Sequence, residues 1–152
     1  MDDAAVPARP EPEYVGFWKR FVAFLIDSFV LLVVVVPLLA MVYGWGYFEA
    51  DHTGFAGPWD FIVQVVLPFA AAVLFWKYRG ATPGKMAISA KIVDAATLSE
   101  PSTRQLIVRY FAYFVSCITL MIGFAWIGID RRKQGFHDKI AGTLVVHDKE
   151  GK

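Results

Sequence analysis

The longest apolar stretch of the chain constrains the fold more than any other feature. It runs from Phe21 to Tyr43, "FVAFLIDSFVLLVVVVPLLAMVY", and its polar or helix-breaking members are Asp27, Ser28 and Pro37. A helix of about 20 mostly apolar residues crosses the hydrocarbon core of a bilayer. A proline is tolerated within such a helix. The stretch therefore predicts a transmembrane helix that keeps one carboxylate inside it.

Two further apolar runs follow. The run from Trp59 to Tyr78 is also long enough to cross a bilayer. The run from Leu106 to Ile129 has 24 residues, whereas two crossings need about 40. This third run either crosses once, which places the C-terminus on the opposite side, or bends and returns. Gly123 and Gly128 permit a bend but do not require one.

Overall composition agrees with a membrane protein and excludes several other classes. Apolar residues make up 57% of the chain, against about 45–50% in soluble domains. A net charge of +1 provides no general attraction for nucleic acid. The single cysteine, Cys117, can form no disulfide within the chain and no paired-cysteine metal site. We expect no metal, cofactor or nucleic-acid partner.

Basic residues predict the orientation. Lys19 and Arg20 precede the first run, the segment 77–109 is rich in Lys and Arg, and the segment 131–139 is basic again. The segment 44–58 carries acidic residues and no Lys or Arg. Since cytoplasmic loops carry the excess of Lys and Arg, we expect a multi-pass protein of the inner (cytoplasmic) membrane with both termini in the cytoplasm.

Two short segments alternate in the manner of β-strands. "KMAISAKIVDA" places Met86, Ile88, Ala90 and Ile92 at every second position, and "GTLVVHD" is a second candidate strand. Because an isolated strand leaves its backbone unpaired, we expect residues 88–93 to pair with residues 143–146. Such pairing requires both strands on one side of the membrane.

These observations predict an all-α membrane protein with two full transmembrane helices, a third helical segment that is bent, re-entrant or crossing, and a small cytoplasmic strand pair. The acidic, proline-rich residues 1–15 predict a disordered tail. Residues 16–147 form the expected membrane domain, and residues 148–152 form a C-terminal tail.

Three motifs in this order resemble the RDD family of small membrane proteins. They are "GFWKRFVAFLID", "RGATPGKMAISAKIVDA" and "DRRKQGFHDKIAGTLVV", and together they extend from Gly16 to His147. The family is named for one arginine and two aspartates. The resemblance implies that Arg20 is the arginine, Asp27 the first aspartate and Asp138 the second. It supplies little biochemistry: a few members are linked to sodium–proton antiport, and others are accessory parts of membrane assemblies.

Arg20, Ala23 and Asp27 share one face of the first helix. Seven residues correspond to about two turns and about 10 Å along the axis. An ionised Asp should face protein or water rather than lipid, and the small Ala23 permits close approach of a neighbour. Asp27 then either binds a cation or proton or forms a structural polar contact. Arg109 is its expected partner, unless that side chain extends to the headgroups instead.

Two loop motifs invite chemical interpretations. "GATPGK", with Gly80, Thr82, Gly84 and Lys85, lacks the glycine spacing and the Ser or Thr of a phosphate-binding loop. It is better interpreted as a tight turn, in which Lys85 contacts lipid phosphate.

The second motif places His137 beside Asp138. This pair could move protons, or Asp138 could cap backbone or pair with a basic residue of the segment 77–91.

Two functions fit these features. The first is an accessory or scaffold membrane protein, not an enzyme, whose intramembrane Arg and Asp side chains are structural. The alternative is an oligomeric cation/proton antiporter that uses Asp27 to bind a monovalent cation or a proton. Since one chain is too thin to enclose a pathway, either function predicts a homodimer or a larger membrane complex surrounded by lipid.

Overall fold

Helices account for most of the structure. The computed structural model describes residues 11–51, 53–119 and 122–149. The helices are α1 (Phe17–Tyr43), α2 (Pro58–Arg79), α3 (Pro83–Ala87), α4 (Thr103–Ile118), α5 (Ile122–Ile129) and α6 (Phe136–Ala141). The strands are β1 (Ala90–Asp94) and β2 (Thr143–His147). A 3₁₀ turn, Trp45–Phe48, follows α1, and a π-helical turn, Ile62–Val66, lies within α2.

Helices α1 and α2 are long and apolar enough to cross a membrane. Their 27 and 22 residues correspond to about 40 and 33 Å at a rise of about 1.5 Å per residue, more than the roughly 30 Å of hydrocarbon core. Both predicted spans are therefore confirmed. Pro37 lies inside α1, and the helix continues past it to Tyr43.

The third apolar run forms a bent helix pair. α4 and α5 meet at an angle of 100°. α4 has 16 residues, about 24 Å, which is shorter than the hydrocarbon core. Gly123 allows the close return of α5, because a Cβ at this position would lie 3.0 Å from Ser116 Cβ and 3.1 Å from Phe136 Cδ2. Of the two alternatives predicted for this run, the structure has the bend.

The two strands pair as predicted. β1 and β2 are antiparallel, with Ala90 opposite His147 and Asp94 opposite Thr143. The expected strand began too early, however, since Met86 lies in α3 and Ile88 lies in the turn that follows it. Pro83 explains this difference, because a proline fits the first turn of a helix, and α3 replaces the first part of the predicted alternation.

Part of the predicted N-terminal tail is ordered. Tyr14 forms a bridge with Val146, and the Val15 N–H donates to the Val145 carbonyl at 3.1 Å. Val15 is fully buried. The prediction of a disordered tail was wrong for these two residues, because both add to the exposed edge of β2. Residues 1–10 of that tail, and residues 150–152 at the other end, lie outside the described residues.

One apolar cluster joins the parts of the chain at a single end of α1. It contains the buried side chains of Val15, Trp76, Ala90, Ile92, Leu106 and Val145. These residues come from the segment before α1, the end of α2, β1, the start of α4, and β2. The start of α1, the loop after α2 and the C-terminal segment therefore meet in one layer, and this layer positions the charged residues.

Candidate functional site

Asp138 is the centre of a buried charged cluster. It is the third residue of α6, and its Oδ2 accepts a hydrogen bond from the backbone N–H of Gly135, at 3.0 Å, just before the helix begins. A side chain at this position commonly satisfies the first free N–H of a helix. The predicted capping role of Asp138 is therefore confirmed, and it fixes the carboxylate at the start of α6.

Two arginines from distant parts of the chain meet this carboxylate. Arg20 Nη1 donates to Asp138 Oδ2 at 2.5 Å, and Arg109 Nη1 donates to Asp138 Oδ1. Arg109 and Asp138 are fully buried, and Arg20 is 9% exposed. Charged side chains are rarely buried unless they are paired, and here the three paired residues come from three different helices. The ion pairs therefore hold α1, α4 and α6 together. A basic partner from the segment 77–91 was the predicted alternative to capping, and the structure has Arg20 and Arg109 in its place.

Most of the remaining donors of both arginines are directed to neighbouring segments, whereas Arg109 Nε has no hydrogen-bond partner among the described residues. Arg20 donates from Nε to the Val15 carbonyl at 3.0 Å and from Nη2 to the Lys133 carbonyl at 2.6 Å. Arg109 also donates to Thr143 Oγ1 at 2.5 Å. The cluster thus reaches the segment before α1, the loop before α6 and the start of β2.

The two arginines set the protonation state of Asp138. Burial alone would raise the pKa of this carboxyl, but the charges of Arg109 and Arg20 outweigh burial and hold the pKa well below its usual range. Asp138 therefore remains ionised at physiological pH, as its two ion pairs require.

The predicted contact between Asp27 and Arg109 is wrong. Arg109 pairs with Asp138 instead, and it does not extend to the headgroups either, because its side chain is 0% exposed. It lies between two aromatic rings, with Cζ 5.6 Å from the centre of the Trp76 ring and 5.7 Å from that of Tyr113. The sequence did not show that α6 would bring a carboxylate to this depth beside α4.

Asp27 binds the GATPGK turn. Its Oδ2 accepts from the Thr82 hydroxyl at 2.5 Å, and its Oδ1 accepts from the Gly84 backbone N–H at 2.7 Å. The helix backbone also touches this turn, since a Cβ on Gly84 would lie 2.0 Å from the Ala23 carbonyl oxygen. The expected close approach at Ala23 is confirmed, and the neighbour is α3. The motif is a turn only in its first half: Gly80 has a φ of +66° and ends α2, whereas Pro83, Gly84 and Lys85 belong to α3.

Lys85 is the third buried cation of this region. It is 9% exposed, and its charge acts on both Tyr113 and His137. Among the described residues, its ammonium group has neither a hydrogen-bond nor an ion-pair partner. The site therefore contains more buried positive charge than Asp138 alone can balance.

His137 packs among aromatic rings beside the cluster. Its ring stacks on Tyr113, with centres 4.2 Å apart, and its Nδ1 lies 3.4 Å from the Ser116 hydroxyl. Burial lowers the pKa of His137 to about 3, and the charge of Asp138 offsets this only in part. The ring is therefore neutral at physiological pH. Ser116, His137 and Asp138 are each at most 2% exposed, so a substrate cannot reach this row of side chains in the conformation observed.

A second polar cluster, at the opposite end of α1 and α2, was not predicted from the sequence. The Asp60 carboxylate is fully buried. It accepts from the Tyr47 hydroxyl at 2.9 Å, from the Ala56 N–H at 2.7 Å and from Gln64 Nε2. Gln64 also donates to the Tyr47 hydroxyl at 3.0 Å. The spacing of four residues between Asp60 and Gln64, on one helical face, was the available signal.

Within the described ranges, no three His, Cys, Asp or Glu side chains lie close enough together to hold a metal ion.

Comparisons with known proteins point to one family. The RDD family model matches residues 14–142. The uncharacterized protein RP437 of Rickettsia prowazekii is 42% identical over 86 residues, which are 57% of this chain and 47% of that protein. The uncharacterized membrane protein YteJ of Bacillus subtilis is 30% identical over 149 residues, 90% of this chain and 82% of YteJ. The match thus spans about half the length of the Rickettsia protein. No solved structure matches this chain.

Proposed function

Since the chain belongs to the RDD family of membrane proteins, we propose that it is an accessory or scaffold component of the inner membrane and that its Arg/Asp cluster is structural. The observation that carries this proposal is the state of Asp138. Both of its oxygens are engaged, by Arg20, Arg109 and the Gly135 N–H. A carboxylate that exchanges ions or protons needs a free coordination position or a reachable proton path, whereas this one joins three helices.

The position of Asp27 supports the same proposal. Both of its oxygens accept hydrogen bonds from the loop that joins α2 to β1. Its carboxylate therefore anchors that loop against α1, a structural role that accounts for an acidic residue within an apolar helix.

The basic flanks support a cytoplasmic location for the layer that contains the sheet. Lys19, Lys77 and Lys133 all lie near this layer, and by the positive-inside rule it faces the cytoplasm. In a background with Cys117→Ser, a cysteine at Thr53 should react with an impermeant thiol reagent in intact cells. A cysteine at Lys149 should react only after the membrane is opened, and reaction from outside would refute this orientation.

A scaffold role requires a partner, which is either a second copy or a larger membrane complex. Many apolar side chains of α1 face outward, among them Phe24, Phe29 and Leu32, which are 60%, 69% and 58% exposed. These surfaces are available to lipid or to another helix. Cross-linking in native membranes, followed by mass determination of the solubilised particle, should give a mass above one chain. A strictly monomeric particle from native membranes would contradict the scaffold proposal.

Ion transport is the alternative that this proposal must exclude. Purified protein in proteoliposomes, loaded with a pH-sensitive dye, should show no proton movement when sodium or potassium gradients are applied. A cation-dependent proton flux that disappears in Asp27→Asn, while the variant remains folded, would instead support antiport with Asp27 as the ion-binding carboxylate.

A further inference from the structure

An open groove of about 600 Å³ lies beside the first turn of α1. It is lined by the segment before α1, by the first residues of α1, by α5, and by Lys133 and His147. We propose that this groove binds an anionic phospholipid, with the phosphate between Lys19 and Lys133 and the upper part of an acyl chain along the apolar wall. This site is separate from the buried cluster around Asp138 and does not depend on the scaffold role.

The polar side of the groove can bind a phosphate. Lys19 Nζ lies 3.1 Å from His147 Nε2, and Lys133 Nζ donates to the Gly128 carbonyl at 3.1 Å. An ammonium group has three N–H donors, and within the described residues each of these lysines uses one. Two donors on each lysine therefore remain for phosphate oxygens, in the charge-assisted bonds that are stronger than neutral ones.

The apolar side of the groove fits a lipid better than a free anion. Phe17, Trp18 and Ala125 line it, and Trp18 is 75% exposed. Phe17 and Trp18 are the first two residues of the membrane-crossing helix α1, and tryptophan is enriched at the interfaces where such helices begin. A ligand with a negative headgroup and an apolar chain would satisfy both sides of the groove at once.

The buried cluster determines where one of the two lysines stands. Lys133 has a φ of +50°, a left-handed conformation that is uncommon for residues other than glycine. Its carbonyl accepts from Arg20 Nη2 at 2.6 Å, and its N–H donates to the Asp130 carbonyl at 3.0 Å. These bonds hold the strained residue in place and direct it to the groove, an arrangement typical of binding sites.

Among the residues that the structure describes, Glu13 is the one acidic side chain that lines the groove. It is 63% exposed, and its Oε1 lies 3.9 Å from His147 Nε2. Because like charges repel, this carboxylate should weaken binding of an anionic headgroup. Its removal should therefore act in the opposite direction to removal of the lysines, and such a gain cannot result from loss of folding.

The test uses the full chain reconstituted in phosphatidylcholine vesicles that contain brominated phosphatidylglycerol or brominated phosphatidylcholine. Bromine quenches nearby tryptophan, and the difference between the wild-type protein and Trp18→Phe isolates the signal of Trp18. We expect stronger quenching by the anionic lipid in the wild-type protein. Each lysine near an anionic surface strengthens association by about fivefold, so Lys19→Gln/Lys133→Gln should lower the preference by up to about 25-fold.

A matched control and the opposite variant make the result decisive. Lys77→Gln/Arg79→Gln removes two exposed charges at the end of α2, outside the groove, and should keep the preference. Glu13→Gln should raise it. The proposal is overturned if the wild-type protein shows no preference, or if the control loses as much as the groove variant. If the double lysine variant fails to reconstitute, Glu13→Gln decides: a rise supports the site, and an unchanged preference refutes it.

Discussion

Arg20 and Asp138 are 118 positions apart in the sequence, and the structure joins them through a 2.5 Å hydrogen bond within a buried ion pair. Arg109 completes the pair on the other carboxylate oxygen. One acidic side chain therefore connects the first transmembrane helix, the bent helix pair and the segment before β2. The cluster holds together the layer on which every other feature of the site depends.

Removing Asp138 should be among the most destabilising single substitutions. Breaking a buried ion pair leaves a buried charge without a partner, at about 3–5 kcal/mol in soluble proteins, whereas polar contacts between membrane helices average about 0.6 kcal/mol. Asp138→Asn should lie between these figures and nearer the upper one, because it leaves two arginines unpaired. Thermal unfolding in detergent, followed by tryptophan fluorescence, measures the change.

The coupling within the pair can be measured separately. Arg20→Gln and Asp138→Asn should not be additive, because the second substitution removes a partner that the first has already lost. Lys19→Gln, at the adjacent position on the surface, is the matched control and should be additive with Asp138→Asn. Additive effects for Arg20 and Asp138 would show that their bond does not contribute to stability.

Asp27 should couple to Thr82 and not to Arg109. The Thr82 hydroxyl donates to Asp27 at 2.5 Å, whereas Arg109 is bonded to Asp138. A double-mutant cycle of Asp27→Asn and Thr82→Val should give a coupling of about 0.5–3 kcal/mol, the range for residues in one hydrogen-bond network. The cycle of Asp27→Asn with Arg109→Gln should give less than about 0.5 kcal/mol, and a larger value would restore the partner predicted from the sequence.

The sequence predicts the parts of this fold that depend on local pattern. Hydropathy is enough for α1 and α2, because about 20 apolar residues in one helix match a bilayer. The alternation of apolar residues predicts the two strands. Because an isolated strand leaves its backbone groups unpaired, it also predicts the pairing of β1 with β2. The helical spacing of Arg20, Ala23 and Asp27 is enough to place them on one face, and the structure confirms that this face is packed against protein.

The partners on that face could not be predicted, because they depend on how the third apolar run bends. Arg20 is directed towards the start of α6, and Asp27 towards α3, so one face meets two different neighbours. The bend of 100° brings α6 back to α4, and only this return places Asp138 beside Arg109. Charge and depth alone suggested the wrong pair, since they leave the direction of the chain after α4 undefined.

Glycine at position 84 should be required for the packing of α3 on α1. A Cβ at this position would lie 2.0 Å from the backbone oxygen of Ala23 and 2.9 Å from Asp27 Cγ, and the helix backbone cannot move away locally. Gly84→Ala should destabilise the protein by at least the 1–3 kcal/mol typical of overpacking. Gly128→Ala, a helical glycine whose added Cβ would meet nothing within 4 Å, should be neutral or slightly stabilising. Thermal unfolding of both variants tests the contact. An equal loss of stability in Gly84→Ala and Gly128→Ala would contradict it.

Lys85 should be unfavourable for stability. Its side chain is 9% exposed, and within the described part of the chain its ammonium group has no ion-pair partner, so an apolar side chain of similar length avoids the partial desolvation of a charge. Lys85→Met should unfold at a temperature equal to or higher than that of the wild-type protein, whereas Arg109→Met should unfold at a clearly lower one. A lower unfolding temperature for Lys85→Met, comparable with that of Arg109→Met, would show that the Lys85 charge stabilises the folded state.

The protein should become less stable as the pH is lowered from about 6.5 to about 4, and His137 should be the cause. Burial lowers the pKa of His137 from 6.5 to about 3, so the unfolded state binds a proton in this range and the folded state does not. The unfolded state is therefore favoured as pH falls, by up to about 1.4 kcal/mol for each pH unit. His137→Phe keeps an aromatic ring against Tyr113 and removes the titrating group. It should flatten the dependence of the unfolding free energy on pH above about 4. The loss of stability at lower pH, where Asp138 takes up a proton in the unfolded state, should remain. Wild-type and His137→Phe proteins with the same slope between pH 6.5 and 4 would show that another group is responsible.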